Sequence, residues 1–186
     1  MNSITNAQHD MRVAYYNGAT GAVCSATAWM AAALVTTFVS PTAGILTLII
    51  GGMAIFPVSV VLSKILGRSG KHAKSNPLAP LAISGTFWML LSIPIAVGVS
   101  LHRVEWFFPA MLLVIGGRYL TFTTLYGLKI YWAFGAVLAL SVVPLLALNA
   151  SAAAGACTGA LIEYAFGATL FATSKTSAPT ISQTET

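Results

Sequence analysis

Residues 42–63, TAGILTLIIGGMAIFPVSVVLS, decide the fold: they run without a single Asp, Glu, Lys or Arg. A helix rises 1.5 Å per residue, so a run of this length covers the roughly 30 Å of a bilayer's hydrocarbon core. Lipid offers no hydrogen-bond partners, so a spanning segment must satisfy its own backbone as a helix or within a closed barrel. Barrel strands alternate polar and apolar over about ten residues. This run is longer and apolar on every side, so it is a helix.

Working outward, the same character repeats. The expected spans are 13–39, 42–66, 78–101, 106–128, 129–148 and 152–172. They make a transmembrane domain over 13–172, preceded by a polar tail (1–12) and followed by a Ser/Thr-rich tail (173–186) expected to be disordered. The fold class is all-α: six transmembrane helices in a compact bundle. Of the 186 residues, 57% are hydrophobic and 7% charged, too few charges to cover a soluble monomer of this size. The first residues lack a basic stretch before a short apolar core, so the first span is expected to act as an uncleaved insertion signal.

The net charge of +5 fits topology better than nucleic-acid binding. With six spans, both termini and the loops after spans two and four share one side. That side holds Arg12, Lys64, Arg68, Lys71, Lys74, Lys129 and Lys175, while the other holds Arg103 alone. Positive loops stay in the cytoplasm, so both termini are expected there. Tyr15-Tyr16, Trp106-Phe107-Phe108 and Tyr131-Trp132 fall where aromatic interface belts belong.

Two ionisable residues stand inside spans. Arg118 lies twelve residues into span four and Glu163 eleven into span six, both about 17 Å below the outer face. Intramembrane charges usually face the bundle interior and find a partner. If spans four and six are neighbours, the two residues can pair. They are either an ion pair fixing packing or charged elements of a polar cavity, with Arg118 meeting an anionic group or Glu163 exchanging a proton. Tyr119, Tyr126 and Tyr164 add hydroxyls near them, and the five residues form the candidate substrate site.

Gly51-Gly52 and Pro57 suggest a packing seam with a kink, or a broken helix exposing backbone to a cavity. Gly116-Gly117 echoes that diglycine: IIGGMAIF (49–56) against VIGGRYLTF (114–122). Gly155 and Gly159 have GxxxG spacing, which fits close helix contact within a subunit or between copies, so a homo-oligomer is one expectation. Asn76 is placed to cap the third span, with Pro77 in its first turn. Cys24 and Cys157 sit in apolar runs and read as packing residues. No HExxH, GxSxG, phosphate loop or metal-ligand cluster is present in the sequence. No catalytic residue, metal or cofactor is therefore expected, and the chain is not expected to be an enzyme.

The stretches GGMAIFP (51–57), NPLAPL (76–81), WFFPAMLLVIGGRYLTF (106–122) and LYG (125–127) resemble an uncharacterised family of small bacterial multi-pass membrane proteins, over roughly 13–172. The resemblance implies a bacterial inner-membrane location and a compact helical bundle, and no activity. It also implies a histidine before a YLPF-like stretch. Here Arg118 occupies that position, followed by Tyr119-Leu120-Thr121-Phe122, so a family-wide role for Arg118 does not follow, though the position could line a shared polar site. Two functions remain: a small-solute transporter or channel-like protein handling an anion or a proton, or a structural or regulatory membrane protein whose charges only fix assembly.

Overall fold

The computed structural model describes residues 3–176, with side chains to residue 174. Among these are eight α-helices: α1 (Ile4–Tyr15), α2 (Ala19–Phe38), α3 (Pro41–Ile65), α4 (Ala79–Ser100), α5 (Phe107–Tyr126), α6 (Ile130–Leu140), α7 (Val142–Ala147) and α8 (Ala152–Thr176). They supply six segments long and apolar enough to cross a membrane: Ile4–Phe38, Pro41–Ile65, Ala79–Ser100, Val104–Tyr126, Ile130–Ala147 and Ala152–Ser174.

The polar N-terminal stretch is not an unstructured tail. Ser3 caps α1 by accepting from the Asn6 amide, and Ala7, Met11 and Ala14 bury one stripe of the helix. Their spacing of four and three residues is that of one helical face. The helix is too short and polar to span by itself, so hydropathy alone missed it. The first expected span is likewise not one rod. Tyr16, Asn17 and Gly18 all have positive φ (51°, 58° and 89°) and turn the chain between α1 and α2. A side chain at Gly18 would collide with the Tyr131 hydroxyl, so glycine is required there for space as well as conformation. The expected fifth span is divided at Ser141 into α6 and α7, three residues before Pro144, which cannot donate the bond a continuous helix needs. Conversely, α3 runs unbroken through Pro57, so the broken-helix alternative for that segment does not hold. Helix α8 continues to Thr176, and the rest of the tail expected to be disordered lies outside the described residues.

Helix α2 packs between α3 and α8, and α5 between α4 and α6. The first trio is close-packed through small residues: Ala22, Ala26, Ala28, Ala32, Ala33, Ala156 and Ala160 are buried. Small side chains let helix backbones approach when lipid supplies no hydrophobic drive between them. Aromatic rings fill the space between the trios, with Phe134 of α6 stacked on Phe166 of α8 at 4.3 Å and Trp29 of α2 beside Phe108 of α5 at 6.0 Å. Large apolar side chains face outward, among them Met53, Phe56, Trp88 and Leu91. That is the inverse of a soluble surface and suits a lipid surrounding.

The two diglycines resolve into one packed and one open position each. A Cβ at Gly116 would lie 2.9 Å from the Gly135 carbonyl oxygen, and one at Gly135 would lie 2.6 Å from the Gly116 oxygen. Helices α5 and α6 thus cross backbone to backbone. Gly51 approaches the Ala28 methyl at 3.1 Å. At Gly52 and Gly117 a Cβ would meet nothing within 4 Å among the described residues, so neither is a contact between helices of the subunit. Gly155 makes room for Phe108, and Gly159 for the Trp29 indole at 2.6 Å. Both therefore serve contacts inside the subunit.

Candidate functional site

The end bearing most of the basic side chains is closed by α1 and the loop that follows α3. Gln8 donates to the Thr124 carbonyl (2.8 Å) and Arg12 to the Tyr126 carbonyl (2.6 Å). Both cover the C-terminus of α5, where carbonyls lack helical partners and a cation is favoured. Asn76 ties the loop down. Its amide donates to the Ala7 carbonyl (3.0 Å) and the Asp10 carboxylate (2.7 Å), while its oxygen accepts from the Leu78 amide (2.9 Å). The expected capping role is not met, because α4 begins at Ala79 with Leu78 as its N-cap and no side-chain cap; Asn76 instead holds the turn before the helix and ties it to α1. Asp10 also accepts from the Ala73 amide at 2.9 Å, and the Tyr15 hydroxyl meets His72 Nδ1 at 3.0 Å. At the opposite end Arg103 lies 3.9 Å from Glu105 and donates to Asn149 at 3.0 Å.

Below the closed end lies Glu163, with 0% of its surface exposed. It is carried by α8 and faces the interior between the two trios. The Ser25 hydroxyl of α2 and the Tyr119 hydroxyl of α5 are close enough to interact with it. Neither carboxyl oxygen, however, has a hydrogen bond of normal geometry among the described residues. Buried polar groups are nearly always bonded, so a carboxyl at mid-bundle without such a bond is a candidate functional group. From Tyr119 an aromatic ladder leads toward the closed end. Its ring stacks on Phe134 (3.9 Å) and Tyr131 (6.1 Å), and Tyr131 stacks on Tyr126 (5.5 Å). The Tyr131 hydroxyl ends the ladder on the Asn17 carbonyl at 2.6 Å.

Arg118 is not part of this interior. Successive helical residues differ by about 100° in direction. Tyr119 therefore points at Glu163 while Arg118 points away, toward α4. Its guanidinium donates to Met89 Sδ (3.0 Å) and Thr86 Oγ1 (3.2 Å) and sits 5.5 Å from the Phe122 ring centroid. Its Nε is buried without a partner, and no carboxylate lies within salt-bridge distance among the described residues. The ion pair between Arg118 and Glu163 is therefore not formed. Arg118 instead lines a groove of about 340 Å³ between α4 and α5, with Leu81, Ser84, Gly85, Trp88 and Thr121.

The other expected site residues disperse. Tyr126 belongs to the lower ladder near Gly18, and Tyr164 turns to the bundle flank, where its hydroxyl meets Thr27 Oγ1 at 3.0 Å. Ser25 was missed. A lone serine in the Ala-rich α2 is the one signal that could have raised it. Among the described residues no group of three or more His, Cys, Asp or Glu side chains could hold a metal ion.

Residues 4–173 match a family of unknown function, DUF7010. No curated protein and no solved structure shows a match.

Proposed function

Since the chain belongs to DUF7010, a family without an assigned function, its own residues carry the reading: we propose a small-solute transporter or channel-like protein of the bacterial inner membrane, working through a mid-membrane polar site at Glu163. One observation carries it, the fully buried carboxyl that has no hydrogen bond of normal geometry among the described residues. Such a group can take up or release a proton, or accept a bond from a solute, without first breaking an internal bond. Tyr119 and Ser25 supply hydroxyls beside it, and Tyr131 and Tyr126 extend polar atoms toward the basic end. The solute is small, because the space between the trios is filled with rings. The protein works without a catalytic step or a cofactor.

Both termini lie in the cytoplasm in this reading. Its support is the seven-to-one division of Lys and Arg between the two sides.

The competing reading, a structural or regulatory membrane protein, draws on the close glycine and alanine packing of α2 against α3 and α8. The two separate in liposomes. Wild type and Glu163→Gln are reconstituted with a pH-sensitive dye inside, and gradients of small anions, amines and sugars are imposed. Transport predicts solute-driven acidification or alkalinisation in wild type that the variant lacks. If no solute moves protons or raises the wild-type melting temperature, the transport reading fails and the structural one stands.

A further inference from the structure

The groove beside Arg118 has features that the Glu163 site does not use. It opens on the flank of the bundle, and its wall includes Trp88, which is 65% exposed. Leu81 is the third residue of α4, so the groove begins near the basic end and runs along α4 to Trp88, about 10 Å further in. Arg118 is its only charged lining residue. Among the described residues the guanidinium hydrogen-bonds only a thioether and a hydroxyl, both neutral acceptors, the thioether weak, and faces the Phe122 ring. In an apolar surrounding an uncompensated guanidinium is costly, and an anion would exchange those contacts for charge-assisted bonds.

We propose that this groove binds the phosphate headgroup of an anionic membrane lipid, with Arg118 as the counter-charge. This inference stands apart from the transport reading. The Ser84 and Thr121 hydroxyls now donate to carbonyls of their own helices, Leu81 and Arg118, and can turn to the phosphate. Gly85 keeps the floor open. Beyond Trp88 the exposed Leu91 and Ile95 continue an apolar track along α4 on which acyl chains can lie. Lys71 and Lys74, in the loop leading into α4, add positive charge at the end of the bundle where the groove begins, which attracts anionic lipid. A lipid is favoured over a free anion because the groove starts at Leu81 near the basic end, where headgroups lie, so the phosphate can enter there and meet the Arg118 guanidinium at the level of Thr86 while its chains follow α4.

The test is thermal unfolding of the purified full chain in a neutral detergent, titrated with phosphatidylglycerol, phosphatidylcholine or inorganic phosphate. Wild type should gain roughly 5 °C or more with phosphatidylglycerol and show little response to the other two. Arg118→Ala should lose that gain. Gly85→Leu keeps the charge but fills the groove. A Cβ there lies 3.6 Å from Thr121 Oγ1, an ordinary contact, so the variant should fold and also lose the gain. Lys71→Ala/Lys74→Ala should keep most of it. The proposal is overturned if phosphatidylcholine stabilises equally, if inorganic phosphate alone suffices, or if Gly85→Leu responds like wild type.

Discussion

Replacing Gly116 with alanine puts one methyl between α5 and α6, where the two backbones meet. The new Cβ would stand 2.9 Å from the Gly135 oxygen and 3.3 Å from both the Ala139 nitrogen and the Leu138 Cβ. An ordinary contact begins near 3.4 Å, so the helices must part by about half an ångström. Two of the three obstructing atoms are backbone, so no side chain can simply swing away. Overpacking of this kind costs about 1–3 kcal/mol. Alanine regains about 1 kcal/mol of helix propensity, so with two backbone obstructions placing the cost in the upper half of that range the net loss is about 1–2 kcal/mol. Gly117, one residue on, is the internal control: its Cβ meets nothing, so only the propensity gain remains. Both variants can be melted in detergent with tryptophan fluorescence as the readout. Gly116→Ala should melt roughly 2–8 °C below wild type, and Gly117→Ala at or above it. Equal losses at both positions, or none at Gly116, would refute the backbone-to-backbone crossing.

Glu163→Leu should leave the melting temperature unchanged or raise it, because an unpaired buried polar group costs about 1–3 kcal/mol. A marked drop would mean that the carboxyl does hold the fold. Arg12→Ala removes the bond to the Tyr126 carbonyl and should destabilise the closed end by about 1–2 kcal/mol; hydrogen exchange should rise in 4–15 and 124–128 and not in α2, and exchange rising equally throughout would count against a local cap. Tyr131→Phe strands the Asn17 carbonyl and should lower stability by about 1–3 kcal/mol, while Tyr164→Phe, at the flank, should change little. Asn76→Ala frees three bonds at once, and limited proteolysis should then cut within 67–78 before any other segment.

The spans were legible because lipid imposes one solution on any long apolar run, and the edges of all but the first lie within two residues of those drawn from hydropathy. Helix α1 was not, because hydropathy averages over the Ala7–Met11–Ala14 stripe that docks it. Residue counting set Arg118 and Glu163 at one expected depth, but rotation about the helix axis was not legible. Nothing in the counting says which way α5 is turned, and a single step in sequence moves a side chain from the interior to the α4 groove. Tyr119, already among the candidate residues, is the member of α5 that meets Glu163. The diglycines show the same limit. Composition marks both residues of each pair alike, and only the neighbouring helix decides which one is a contact.

The docking of α1 also fixes an order of events. Gln8 and Arg12 find their partners 116 and 114 residues later in the chain. During synthesis, α1 leaves the ribosome before the other helices, yet Gln8 and Arg12 have no partner until α5, in the fourth membrane segment, has been made and placed. An early helix therefore completes its docking late, and these two bonds report that the membrane segments through α5 are already in position.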